Sequence, residues 1–408
     1  MSERYLDLGA GRGLHLKDGV IAAVDVFVPG QGSKVEILDA RGGALTAGRV
    51  CAHTHLYSGL APFGLPAPEP KPESFVQILE RLWWRLDRAL DAPSLRASAR
   101  YYGAMALLSG TTTLIDHHES PAFIEGSLDV LADASRELGF RLLTGYGATD
   151  RNGGPEEGAR GLAECARFFR AVEGEDRLVG TVALHASFTC SDETVRAAGE
   201  LCRELGAVMH VHLAEDGADV EDAKARGHAG VLQRLLALEA LPPGSILAHG
   251  IHLSEEEVEQ AAEAGCWFVQ NPRSNEGNAV GYAASLIAAE KVALGTDGYP
   301  AVMGEEEEAL LRLAAEQGEE EVGEAHLRLE NGQWLASELF GGTFGDLAEG
   351  ARADLVVWED DPGGAVRHVL VAGEPVVLDG RLVGAKLEAI EEEARREAER
   401  LWARMRAL

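Results

Sequence analysis

His53 and His55 stand two residues apart in the run Val50-Cys51-Ala52-His53-Thr54-His55. Side chains alternate faces along an extended strand, so both imidazoles face the same way and can reach one ion. Imidazole is the commonest metal ligand in proteins, which makes metal chemistry the first possibility the chain raises. The same residue types recur at the ends of other apolar runs. Val208-Met209-His210-Val211-His212-Leu213-Ala214-Glu215 carries two histidines and a glutamate, Ile246-Leu247-Ala248-His249 ends in a histidine, and Ala293-Leu294-Gly295-Thr296-Asp297 ends in an aspartate. A single site built from these residues requires a scaffold that brings four strand ends together.

Strand ends meet when strands run parallel and helices return the chain between them. The apolar runs predict strands at Val50 to Leu56, Thr112 to His117, Arg141 to Gly145, Leu178 to His185, Ala207 to Leu213, Ser245 to His249, Cys266 to Asn271 and Lys291 to Thr296. Helices are expected at Phe75 to Ala89, Ser94 to Leu108, Ile124 to Glu137, Leu162 to Val172, Asp192 to Leu205, Val231 to Ala240 and Glu255 to Ala264. This alternation fits a closed (β/α)8 TIM-like barrel or an open doubly wound sheet. Ligand types at the C-terminal strand ends, where barrels build their active sites, favour the barrel.

Short strands punctuated by Gly, Asp and Pro fill the first fifty residues, including Lys34 to Asp39, and return in Ala353 to Trp358 and His368 to Gly380. The pattern reads as antiparallel. An isolated hairpin is marginal in water, so both sets are expected to pack as one small β-sandwich from residues 1–50 and 346–385, beside a catalytic barrel of 51–345. Residues 386–408 have the spacing of an amphipathic helix that docks on the surface or on a partner subunit. The runs Glu305 to Glu308 and Glu319 to Glu321 read as solvated helix faces.

Lysine and arginine number 37 against 67 aspartates and glutamates, a formal net charge of −30 over 408 residues. That charge repels nucleic acid and anionic lipid, leaving a small molecule as the expected partner. With no apolar run of about twenty residues and no secretory leader, a cytoplasmic chain without a membrane span is expected. The five dispersed cysteines read as reduced thiols.

The strand-end residues, the split end segments and the Gly350-Ala351-Arg352-Ala353-Asp354-Leu355 turn together resemble the amidohydrolase superfamily, in particular its cytosine deaminase-like and chlorohydrolase-like group. Leu82 to Asp91, Ile115-Asp116-His117-His118-Glu119-Ser120-Pro121 and Thr149-Asp150-Arg151-Asn152 are most similar to the SsnA-type aminohydrolases. The resemblance implies that His53, His55, His212 and Asp297 hold one divalent ion, with zinc favoured over iron. It implies proton transfer by Glu215, water management by His249 and Asp297, and a substrate contact for His185. It also implies a barrel that can pair as a homodimer. Binuclear relatives carry a bridging lysine on the fourth strand; this chain has no lysine between Lys71 and Lys224, which favours a single ion and deamination.

The reaction so implied removes ammonia from an amino-substituted purine, pyrimidine or pteridine. The alternatives are hydrolysis of a cyclic amide or a carbon–chlorine bond at the same centre, and a metal-binding protein without catalysis. Glu215 and His249 argue against the last, because neither is needed to hold an ion. Arg273, after the seventh strand, could meet a carbonyl or anionic ring oxygen through its fork of donors. His210 is expected behind the ligands, and His117 or His118 could line the pocket. His15, His228, His252, His326 and His368 read as ordinary core or surface residues. Trp83 and Trp84 read as core or as part of a cap, and the loop Tyr57 to Ser74 as a lid.

Overall fold

The computed structural model describes residues 3–29, 35–319 and 325–408. Lys34, Glu320 and Glu321, which the sequence places in a strand and a helix face, lie outside the described residues. Eight parallel strands form the centre: β1 (Arg49–Thr54), β2 (Thr111–His118), β3 (Arg141–Ala148), β4 (Val182–Ala186), β5 (Met209–Leu213), β6 (Ile246–His249), β7 (Trp267–Gln270) and β8 (Val292–Leu294). Each is hydrogen-bonded to its neighbour in order. Beyond β8 the ring closes on β1, where Thr296 N donates to His53 O at 2.8 Å and Thr54 bridges Asp297. β2 shows why the sequence folds this way: Thr111-Thr112-Thr113-Leu114-Ile115 is largely β-branched and buried on both faces, as helix-covered parallel strands require.

The fold is the expected (β/α)8 barrel, with local differences. The fourth strand is interrupted, since Leu178–Gly180 pairs with β3 before the chain re-forms as β4. The helix Phe75–Ala89 contains a wider π-type turn at Leu79–Trp83. Helices Gly217–Ala225, Pro272–Gly277 and Ala325–Phe340 were not anticipated. Leu335, Ala336 and Phe344 pack with Val50, Ile115, Leu143 and Trp267 of the barrel strands.

The chain ends form two sheets, one of Glu3–Gly9, Arg12–Lys17, Val20–Phe27 and Glu36–Asp39, the other of Leu45–Ala47, Leu355–Trp358, Val366–Val371, Glu374–Leu378 and Arg381–Leu382. Leu6, Leu14 and Ile21 of the first share a core with Leu355, Val357 and Leu370 of the second. One pairing departs from the antiparallel expectation: Glu36–Asp39 runs parallel to Glu3–Gly9. Arg141 at the base of β3 grips Asp354 through two hydrogen bonds of 2.5 and 3.1 Å, joining the barrel to the end sheets.

The terminal helix Leu387–Ala407 buries Ile390, Ala394, Leu401, Trp402 and Met405 in the main core. It also holds the segments above the barrel mouth: Trp402 Nε1 donates to Phe63 O at 3.0 Å and Arg404 Nε to Ala89 O at 2.7 Å. Among the described residues no helix is long and apolar enough to cross a membrane.

Candidate metal centre and active site

The ends of β1, β5 and β8 bring His53, His55, His212 and Asp297 together, each with a ligand atom within 4.8 Å of the others. Asp297 Oδ1 is 2.8 Å from His55 Nε2 and 3.5 Å from His53 Nε2, while His212 Nε2 is 3.2 Å from His55 Nε2. The opposite ring nitrogens fix these orientations. His55 Nδ1 donates to His117 O and His212 Nδ1 to His185 O, both at 2.5 Å, and His53 Nδ1 faces His210 Nε2 at 2.9 Å. Such outer contacts set the tautomer that turns each Nε2 lone pair inward. His53 Nε2 is buried without a hydrogen-bond partner. Three imidazoles and a carboxylate converging on one point could hold a cation, and this donor set suits zinc or ferrous iron.

Glu215 and His249 stand beside this group. His249 Nδ1 donates to Asn275 Oδ1 at 2.9 Å, which leaves its buried Nε2 free, 3.6 Å from Glu215 Oε2. Ser274 Oγ donates to Asp297 Oδ2. The backbone is left-handed at Ala214 (φ 51°), next to Glu215, and at His249 (φ 79°) and Asp297 (φ 50°), so strained residues accompany the functional side chains at three strand ends. Burial, reinforced by the charge of Asp297, pushes the Glu215 carboxyl well above its ordinary range. Burial lowers His53 to about 3 and lowers His249. His55 moves the other way, to about 9, because the Asp297 carboxylate outweighs burial.

A cavity opens over these residues. Phe75, Leu79, Trp83, Trp84 and Asp87 cover it from one side and Phe188 from another, with Tyr57 and Glu119 deeper in. A second hollow of about 1000 Å³ lies beyond, sharing Trp83, Asn278 and Gly298 with the first. The Pro-rich loop expected as the lid lines that outer hollow; the cover over the metal ligands is the helix that follows it.

A family model described as "Amidohydrolase family" matches residues 44–376. The chain belongs to this family. A 5-methylthioadenosine/S-adenosylhomocysteine deaminase of Desulforudis audaxviator is 29% identical across 93% of this chain and 91% of its own length. An 8-oxoguanine deaminase of Pseudomonas aeruginosa is 28% identical across 94% and 93%. In fold, the amidohydrolase resembles an adenosine deaminase of Xanthomonas campestris solved with bound zinc, with a TM-score of 0.80 over 98% of this chain and 97% of that one at 22% identity.

The structure of this amidohydrolase gathers His53, His55, His212, Asp297, Glu215 and His249 as expected and puts His185 on the cavity wall. Arg273 is a correction. It lies outside the cavity lining, with Nε donating to Glu306 Oε1 and Nη2 to Pro300 O, both at 2.6 Å, and Nη1 to Glu305. Glu306 corrects the reading of its acidic run, being fully buried. His210 sits behind His53 as expected, whereas His117 and His118 are buried beneath the cavity, His117 Nε2 donating to Leu184 O at 2.9 Å. Asp87, Glu119, Ser274, Asn275 and Asn278 escaped sequence reasoning. For Asp87 and Glu119 the available signal was their place in the segments that resemble SsnA-type aminohydrolases.

Proposed function

We propose that this amidohydrolase is a single-metal deaminase that replaces the exocyclic amine of a nitrogen heterocycle with oxygen from water and releases ammonia. The observation that carries the reading is the placement of the Glu215 carboxyl, 3.6 Å from His249 and beside the four-ligand centre, where burial raises its pKa. His53, His55, His212 and Asp297 would hold the ion, which supplies Lewis acidity and lowers the pKa of a water at neutral pH. Asp297 takes a proton from the attacking water, and His249 hydrogen-bonds the oxygen as it adds to the amine-bearing carbon. Glu215 protonates the adjacent ring nitrogen. Once the amine has received the proton that Asp297 took from water, the carbon–nitrogen bond breaks and ammonia leaves, while the remaining hydroxyl proton returns to Glu215 as the carbonyl forms, so one water is consumed per amine lost and both acid and base are restored. His185 contacts the ring from the cavity wall.

The deaminase names of full-length relatives support this bond choice. Five buried free cysteines and the acidic surface suit a cytoplasmic enzyme acting on a small molecule. Product mass spectrometry in heavy-oxygen water tests the reaction: the amine should be replaced by one labelled oxygen. A product that keeps its amine and has lost chloride or opened its ring would overturn the proposal in favour of the alternative chemistries.

A further inference from the structure

The cavity above the centre is lined by six carboxyl side chains. Asp87, Glu119, Glu215, Asp216, Asp219 and Asp297 line it, and among the described residues no lysine or arginine does. Four of the six carboxylates already have work. Glu215 and Asp297 belong to the proposed chemistry, Asp216 caps the helix Gly217–Ala225 through Ala218 N at 3.0 Å, and Asp219 accepts from Phe188 N at 3.0 Å and Ala214 N at 2.8 Å.

Asp87 and Glu119 remain. Asp87 is 2% exposed; its Oδ2 accepts from Arg151 Nη2 at 2.7 Å, but its buried Oδ1 has no partner. Arg151 lies over the Trp84 ring at 4.9 Å, so a stacked cation holds Asp87 in place without reaching the cavity itself. Glu119 is 1% exposed. Its Oε1 is 2.7 Å from His117 Nδ1 and its Oε2 3.7 Å from His55 Nδ1, so ring nitrogens already face it. The Asp87 Oδ1 is the buried acceptor without a donor; that is costly, and the cost is recovered when a ligand brings the donor.

We propose that Asp87 selects the substrate: a neutral or cationic polyamino heterocycle whose edge away from the reacting carbon presents an N–H donor to its free carboxylate oxygen, with Glu119 adding negative charge to the same cavity. Carboxylated and phosphorylated analogues are disfavoured at this edge, since Asp87 and Glu119 repel them and no arginine or lysine among the described lining residues pairs them there. The inference rests on the deaminase reading for the position of the reacting carbon, but recognition can be measured without turnover.

The experiment is calorimetric binding to the zinc-loaded Glu215→Gln chain, using mono- and diamino-substituted pairs of purine, pyrimidine and triazine, each beside a carboxylated analogue. The expected result is that the diamino member of at least one pair binds about tenfold more tightly than its partner, with no measurable binding of the carboxylated form. Adding Asp87→Asn, which turns an amide donor toward the cavity, should remove that preference while leaving the weaker ligand's affinity within about threefold. Equal affinities within every pair, or binding of a carboxylated analogue, overturns the inference. The unmutated Asp87 comparison decides the matter even if Asp87→Asn fails to fold. Ammonia release by the wild-type chain is scored separately. A donor preference without ammonia keeps the recognition and sinks the deaminase, and ammonia without a donor preference does the reverse.

Discussion

His53 Nδ1 and His210 Nε2 lie 2.9 Å apart in the barrel interior, so one histidine orients another whose Nε2 points at the proposed metal. Replacing His210 with alanine removes that constraint while leaving the four ligands in place. Loss of such an outer contact lowers metal affinity by about 10- to 100-fold. Competition with a chromogenic chelator measures it, and an unchanged affinity would show that His210 does not orient His53.

Glu215 is 3.6 Å from His249 and outside the four-ligand group. Glu215→Gln should therefore retain the metal stoichiometry while turnover falls by about 10²- to 10⁴-fold, the range expected for loss of a general acid. Near-normal turnover in a metal-replete variant would remove Glu215 from the mechanism.

Arg273 makes a structural prediction in place of a substrate contact. Its partner Glu306 is fully buried, and Arg273→Ala leaves that carboxyl without its cation. The expected loss is about 3 kcal/mol of stability with KM unchanged. A large rise in KM at full stability would restore Arg273 to the substrate.

Much of the centre was legible because strands impose a two-residue period and barrels place function at strand ends, rules that bring His53, His55, His210, His212, His249 and Asp297 forward; the choice of His53, His55, His212 and Asp297 as ligands came from the resemblance to the amidohydrolase superfamily. Arg273 was misjudged because position after a strand does not say which way the short helix Pro272–Gly277 turns its side chains, and because Glu306 is hidden in a run of surface-like acids. Asp87, Glu119 and Arg151 come from three separate elements, and their meeting depends on packing that no local pattern encodes. The cover is divided for a similar reason. Pro and Gly announce a loop, which lines the outer hollow, whereas Trp83 and Trp84, read as core or as part of a cap, reach the cavity together with Phe75 and Leu79.

Asp219 gives a pH dependence. Burial pushes its carboxyl up to about 7, against an ordinary aspartate value of about 3.9. The folded chain then holds more protons than the unfolded chain between those values, so this residue's contribution is full below about pH 4 and is lost as pH rises through 7. Asp219→Asn cannot titrate. The stability of wild type relative to this variant should fall between about pH 4 and pH 7 and level off above, as read by urea denaturation. A difference that stays constant, or grows with pH, contradicts the assignment.

The central claim is deamination at a single metal centre, and ammonia release tests it most directly. The purified chain, loaded with zinc or iron, is offered aminopurines, aminopyrimidines, aminopteridines and aminotriazines while ammonia is followed. The account predicts release from at least one ring type, abolished by a chelator and restored by the metal. Metal demonstrably bound, with no ammonia from any amine and turnover instead of a cyclic amide or a chlorinated ring, would contradict it.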